Sequence, residues 1–111
     1  MWGDGCGAMK SSMALVRTTV ATRDAADTLA RLLVNAGLAA CCHVHEVRST
    51  YRWQGKVVEE PEWLVEARAL ETRAVAVREA MLADHPYEVP LVETLTVTGI
   101  AKEYLDWARS D

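Results

Sequence analysis

Positive charge is nowhere concentrated in this chain. Twelve lysines and arginines are scattered among 16 acidic residues, for a formal net charge of −4. Nucleic-acid binders gather basic side chains into a patch that neutralises phosphates, so no nucleic-acid partner is expected. No apolar run approaches the roughly 20 residues that a bilayer-spanning helix requires, and no membrane partner is expected either. Residues 1–12 lack the basic-then-apolar pattern of a signal peptide. They read as a frayed extension ahead of one domain over 13–111, and a cytoplasmic location is expected. Cysteine is scarce too: Cys6, Cys41 and Cys42 are an odd number without C-x-x-C spacing. That is neither a disulfide framework nor a zinc ribbon, and it suits a reducing compartment. There is no phosphate-cradling loop and no serine–histidine–acid or cysteine–histidine order of a catalytic family, so no enzyme is expected.

What is present is one domain's worth of ordinary globular sequence, 111 residues, half of them apolar and a quarter charged. Ala14 to Val20 is rich in β-branched residues and predicts a first strand. Thr22 then offers a helix N-cap with Asp24 behind it. Ala26, Leu29, Ala30 and Leu33 recur at helical spacing, and Gly37 supplies the left-handed stop. From Leu38 to Trp53 the period becomes that of a strand, but its phase slips near His45-Glu46, which predicts a β-bulge. Trp53-Gln54-Gly55-Lys56 is a tight turn, and Lys56 to about Leu70 runs back as the partner strand. Pro61 within it must fall at a bulge or an unpaired edge.

Hairpin arms of this length far exceed the usual strand of about 5–6 residues, so the hairpin should protrude from so small a domain. Tyr51 and Trp53 lie on its outer half, where a partner is expected to cover them. A second helix is expected from Thr72 to Asp84, capped by Thr72, then a strand over Leu91–Thr98 and a short terminal helix. The order β-α-β-β-α-β plus a helix is the α+β, ferredoxin-like arrangement, here with an extra C-terminal helix and a long hairpin between the second and third strands.

His85-Pro86-Tyr87-Glu88-Val89-Pro90 punctuates the second half. Its prolines fix φ, remove N–H donors and push the preceding residues out of the helical region, so His85, Tyr87 and Glu88 are held in set directions. With Gly37-Leu38-Ala39-Ala40-Cys41, Tyr51-Arg52-Trp53-Gln54-Gly55-Lys56 and Tyr104-Leu105-Asp106-Trp107, this run makes four motifs in one order. In that order and spacing the chain resembles the CutA family of divalent-cation tolerance proteins over residues 14 to about 108. The resemblance implies a ferredoxin-like subunit in a tight homotrimer, with long hairpins pairing between neighbours. It also implies a role in tolerance of divalent metals, copper especially. The chain departs from the family at several places: Thr18 stands where some bacterial members carry a cysteine, Arg68-Ala69 replaces Lys-Thr, Leu91 replaces an acid, and His43 replaces an asparagine.

Two groups of metal donors follow. His85 with Glu88 suits a divalent ion through neutral imidazole, the alternative being that His85 caps the end of the second helix. Cys41 and His43, with His45 beyond them, share one strand face and make a softer set, fit for copper or zinc. The alternative there is buried small thiols beside solvated histidines. Tyr51, Trp53, Trp63, Tyr87 and Trp107 read as subunit-interface anchors. A second functional reading is a trimeric sensor or scaffold resembling the PII signalling proteins, binding a small molecule or protein at subunit clefts.

Overall fold

Strand β1 (Met13–Val20) buries Ala14, Val16, Thr18 and Val20 on one face, as the alternation of a strand requires. The computed structural model describes residues 12–111. The extension expected over 1–12 lies outside them except for Ser12, whose carbonyl accepts from the Glu71 N–H at 2.9 Å. Helix α1 (Arg23–Asn35) starts where Thr22 Oγ1 accepts from the Ala25 N–H at 3.1 Å. It ends in a Schellman motif. Gly37 donates to the Val34 carbonyl and Leu38 to the Leu33 carbonyl, each at 3.0 Å, with Gly37 at φ +74°.

Strands β2 (Cys41–Trp53) and β3 (Lys56–Leu70) form the long hairpin. Gln54 and Gly55 have φ of 51° and 80°, both positive, as a two-residue type I′ turn demands. The register runs unbroken from Cys41 opposite Arg68 to Trp53 opposite Lys56, so the bulge expected near His45-Glu46 is absent. The slip in apolar phase has a different cause, a change in which face is covered. Cys42 and Val44 pack toward the helices, whereas Val47 and Ser49, further out, are half-buried on the opposite face. Pro61 keeps its place opposite Arg48 in that register. It lies past Trp63–Val20, the last pair with β1, so its missing N–H faces an edge that has no strand among the described residues.

A 3₁₀ turn over Glu71–Arg73 leads into helix α2 (Ala74–Ala83). Thr72, expected as a cap, lies inside that turn, and no side chain caps α2. The turn itself gives the Ala74 N–H a partner in the Glu71 carbonyl, which makes a side-chain cap dispensable there. Strand β4 (Val92–Thr96) and helix α3 (Lys102–Ser110) complete the chain. The sheet order is β2-β3-β1-β4, antiparallel throughout. This is the expected α+β, ferredoxin-like architecture with its additional terminal helix.

The core forms between the sheet and the two central helices. Val16, Ala67 and Ala69 meet Leu33, Val77 and Met81 in the larger cluster, and Val20, Ala26 and Val65 make the smaller. Residues 56–62 of β3 continue beyond the end of β1, and the molecule measures 49 × 30 × 21 Å as a result. By register, Cys41, His43, Val47, Ser49 and Tyr51 of β2 share a face with Glu60, Glu62 and Glu66 of β3, opposite the core helices.

Candidate functional site

Pro86 and Pro90 hold the segment after α2 away from helix and ladder, and this lets it cross the end of β1. There the His85 ring is fixed on both sides. Its Nε2 lies 3.1 Å from the Thr19 carbonyl and 3.1 Å from Thr18 Oγ1, while the Tyr87 N–H donates to Nδ1 at 3.2 Å. Thr18 Oγ1 itself donates to the Leu91 carbonyl at 2.7 Å. Because carbonyl oxygens only accept, the network assigns the ring proton to Nε2 and the free electron pair to Nδ1. Both ring nitrogens therefore have partners within the chain. Thr18 is fully buried, so this network holds the motif to the first strand rather than decorating its surface.

Beyond the network lies a hollow of about 550 Å³, lined by Thr19, Ser49, Tyr51, Trp53, Glu60, Glu62, Tyr87 and Glu88 among others. Two tyrosine–carboxylate pairs stand on its wall. The Tyr87 hydroxyl donates to Glu62 Oε2 and the Tyr51 hydroxyl to Glu60 Oε1, both at 2.6 Å. Burial, then the bond to Glu62, pushes the Tyr87 hydroxyl well above the usual phenol range. The bond to Glu60 is the main cause raising Tyr51. Both phenols stay protonated and act as donors across ordinary pH. Glu62 is only 6% exposed.

The second group of donors lies on the same sheet face toward the other end of the hairpin. Cys41 Sγ and His43 Nε2 are 3.8 Å apart. Two ligands of one zinc ion, at about 2.3 Å and 2.0–2.1 Å from the metal, span a gap of this size. Arg68 faces Cys41 across the ladder and Glu66 faces His43. Tyr104 from α3 points its hydroxyl at this corner, buried and without a hydrogen-bond partner among the described residues. Burial, then the neighbouring Cys41, raises that hydroxyl's pKa. Cys42 points the other way, into the core layer, and burial pushes its thiol up to about 11.

The residues singled out from the sequence thus divide. Tyr51, Trp53, Tyr87 and Glu88 meet around the hollow, and His85 sits behind it, its ring 4.8 Å from that of Tyr87. Trp63 is on the opposite sheet face against Val20 and Ala26, with the Arg23 guanidinium 5.9 Å over its ring. Trp107 lies apart on α3, edge-on to Tyr104 at 5.2 Å. Among the described residues no three histidine, cysteine or acidic side chains converge as a complete metal shell. Sequence reasoning missed Glu60 and Glu62. The run Glu59-Glu60-Pro61-Glu62 carried a signal, since strand alternation puts Glu60 and Glu62 on the face of Tyr51.

Comparison with known proteins agrees with the motifs. A family model described as CutA1 divalent ion tolerance protein matches residues 14–111. The divalent-cation tolerance protein CutA of Thermus thermophilus is 39% identical over 98 residues, covering 87% of this chain and 95% of the relative. That of Thermotoga maritima is 34% identical over 97 residues, covering 87% and 96%. A solved structure of CutA from Synechococcus elongatus superposes with a TM-score of 0.85 at 35% identity, covering 90% of this chain and 89% of that one. The chain belongs to the CutA1 divalent ion tolerance family.

Proposed function

We propose that this chain is a cytoplasmic, non-catalytic homotrimer that takes part in tolerance of divalent metal ions by binding one, with copper the leading candidate. The observation that carries the metal reading is the Cys41–His43 pair, 3.8 Å apart on a sheet face free of the core helices. Thiolate with imidazole is a soft donor set that suits copper or zinc. Two donors are fewer than the usual four, so the remainder comes from a second copy of the chain or from solvent. Where a second copy supplies them, metal binding is coupled to assembly. His85 and Glu88 are the second donor set, available to a metal only if the ring gives up the Thr19 carbonyl or the Tyr87 N–H.

The assembly reading is supported by the protruding hairpin. Tyr51 and Trp53 are 39% exposed there and Val57 71%, while Val89 of the proline-bounded run is 70% exposed. A cytoplasmic location is supported by Cys41 and Cys42, both free thiols. The test is titration of copper and zinc into protein purified without a histidine tag, beside the Cys41→Ser, His43→Ala double variant. Stoichiometric metal in the parent and none in the variant is the expected result. Undiminished binding in the variant overturns this placement. The sensor reading, resembling PII proteins, is favoured by the hollow between hairpin and motif.

A further inference from the structure

Tyr104 carries a polar group that packing alone does not account for. Its hydroxyl oxygen is shut away from water and has no hydrogen-bond partner among the described residues. A buried hydroxyl without a partner costs stability, and native chains keep few of them. Phenylalanine would fill the same space without that cost. The ring itself is well anchored. Leu105 beside it is buried, and Trp107 stands edge-on to it. Helix α3, the addition to the ferredoxin-like order, therefore delivers the hydroxyl to a fixed place.

That place is the corner of the outer sheet face where Cys41 lies opposite Arg68. The hydroxyl's polar neighbours there are the Cys41 thiol and the Arg68 guanidinium. A guanidinium only donates, so it offers the phenolic hydrogen no acceptor. Glu66, next along β3 on this face, has its carboxylate engaged by the Arg17 guanidinium at 3.5 Å. The Cys41 sulfur remains. As a thiol it is a weak acceptor, but as a metal-bound thiolate it is a strong one, because an ionised partner roughly doubles the strength of a hydrogen bond. We propose that Tyr104 is a positioning residue of the Cys41–His43 metal site, its hydroxyl unpartnered in the metal-free chain and donating to the Cys41 sulfur once that sulfur is a metal-bound thiolate. This inference rests on the reading of Cys41 and His43 as metal donors. It gives the orphaned hydroxyl its reason: the group lowers the stability of the metal-free chain and strengthens the hold on the metal, as outer partners of metal ligands do.

The test is Tyr104→Phe in the full chain, measured in two ways. In denaturant unfolding with a chelator present, the variant should have a midpoint at least as high as the parent's, because only an unpaired hydroxyl is removed. Zinc, and cuprous ion under anaerobic conditions, are then titrated against a chromophoric chelator. The variant should bind them about 10- to 100-fold more weakly, the usual effect of losing an outer hydrogen bond to a metal ligand. A residue that merely supports the fold would lower both quantities together. Equal affinity in parent and variant, or a lowered midpoint in the metal-free variant, overturns the proposal and leaves the Cys41–His43 reading in place. A parent that binds neither ion, or a Cys41→Ser, His43→Ala variant that binds as tightly as the parent, overturns that reading and this inference with it.

Discussion

Thr18 and His85, far apart in the chain, meet at 3.1 Å between hydroxyl oxygen and Nε2. The hydroxyl also donates to the Leu91 carbonyl, so one buried side chain fastens both ends of the His-Pro-Tyr-Glu-Val-Pro run to β1. Thr18→Val keeps the shape and removes that link. The Leu91 carbonyl then loses its donor in a part-buried bond, and an acceptor left unpaired there costs on the order of 1 kcal/mol. Denaturant unfolding should show a loss of that size, whereas Thr18→Ser, which keeps the hydroxyl, loses only what its buried methyl contributed. An unchanged midpoint in the valine variant would mean that water replaces the hydroxyl.

Most of the fold was legible because local signals agreed with tertiary ones. Thr22, Asp24 and Gly37 bound α1 by chemistry that acts within a few residues, and Gln54-Gly55 fixes the hairpin register by turn geometry alone. Legibility failed where distant elements decide the outcome. The slip in phase at His45-Glu46 looked like a bulge because one sequence cannot reveal that cover passes from one sheet face to the other along β2. Thr72 looked like a cap because the 3₁₀ turn that makes a cap dispensable depends on how β3 enters α2. The site divides the same way. His85, Tyr87 and Glu88 stood out through their prolines. Their partners Thr18, Thr19 and Glu62 come from other strands and gain meaning only through the crossing of chain segments.

Gly37 offers a clean test of backbone conformation. A Cβ built there would meet nothing nearer than Arg73 Nη1 at 3.9 Å, so space is not the constraint. Its φ of +74° is. Gly37→Ala should therefore cost about 1–2 kcal/mol, the penalty of a left-handed residue, and Gly37→Asn noticeably less. Equal losses in thermal unfolding of the two variants would point to a packing effect instead.

The Cys42 thiol gives a pH prediction. Burial raises it to about 11, above its ordinary value of 9. A raised folded-state pKa means that the protonated form is the stabilised one. Its contribution is therefore complete below about 9 and is lost as pH climbs from there toward 11. Below that window the native thiol is about a hundredfold poorer in thiolate than an ordinary cysteine, so iodoacetamide should label it only after denaturation. Rapid native labelling of Cys42, read by peptide mass, would show that the strand opens locally.

The hairpin predicts assembly. Its exposed tip bears Trp53 of β2 and Val57 of β3, and among the described residues this outer part of β3 has no strand on one side. A soluble protein leaves such an edge bare at the risk of aggregation, so a symmetric partner is the expected cover. Sedimentation at low micromolar concentration should give three chains per particle, with unfolding that depends on protein concentration. Trp53→Ala should shift the particle toward smaller species, since truncating a central aromatic anchor costs about 2 kcal/mol or more. A well-folded parent monomer would remove the basis for assembly.

His85→Ala separates the two metal readings. The native ring has its Nε2 proton directed at Thr19 and its Nδ1 electron pair engaged by Tyr87, so a metal must compete with an existing bond. The Cys41–His43 pair carries no comparable debt, since its 3.8 Å contact is weak and both groups reach the surface. Removing His85 should loosen the motif and lower stability while leaving copper stoichiometry intact. Removing Cys41 and His43 should do the reverse, abolishing copper binding with little change in the unfolding midpoint. Copper lost only in His85→Ala would show that the ring breaks its internal bonds on binding, and that Glu88 or a neighbouring chain repays that loss.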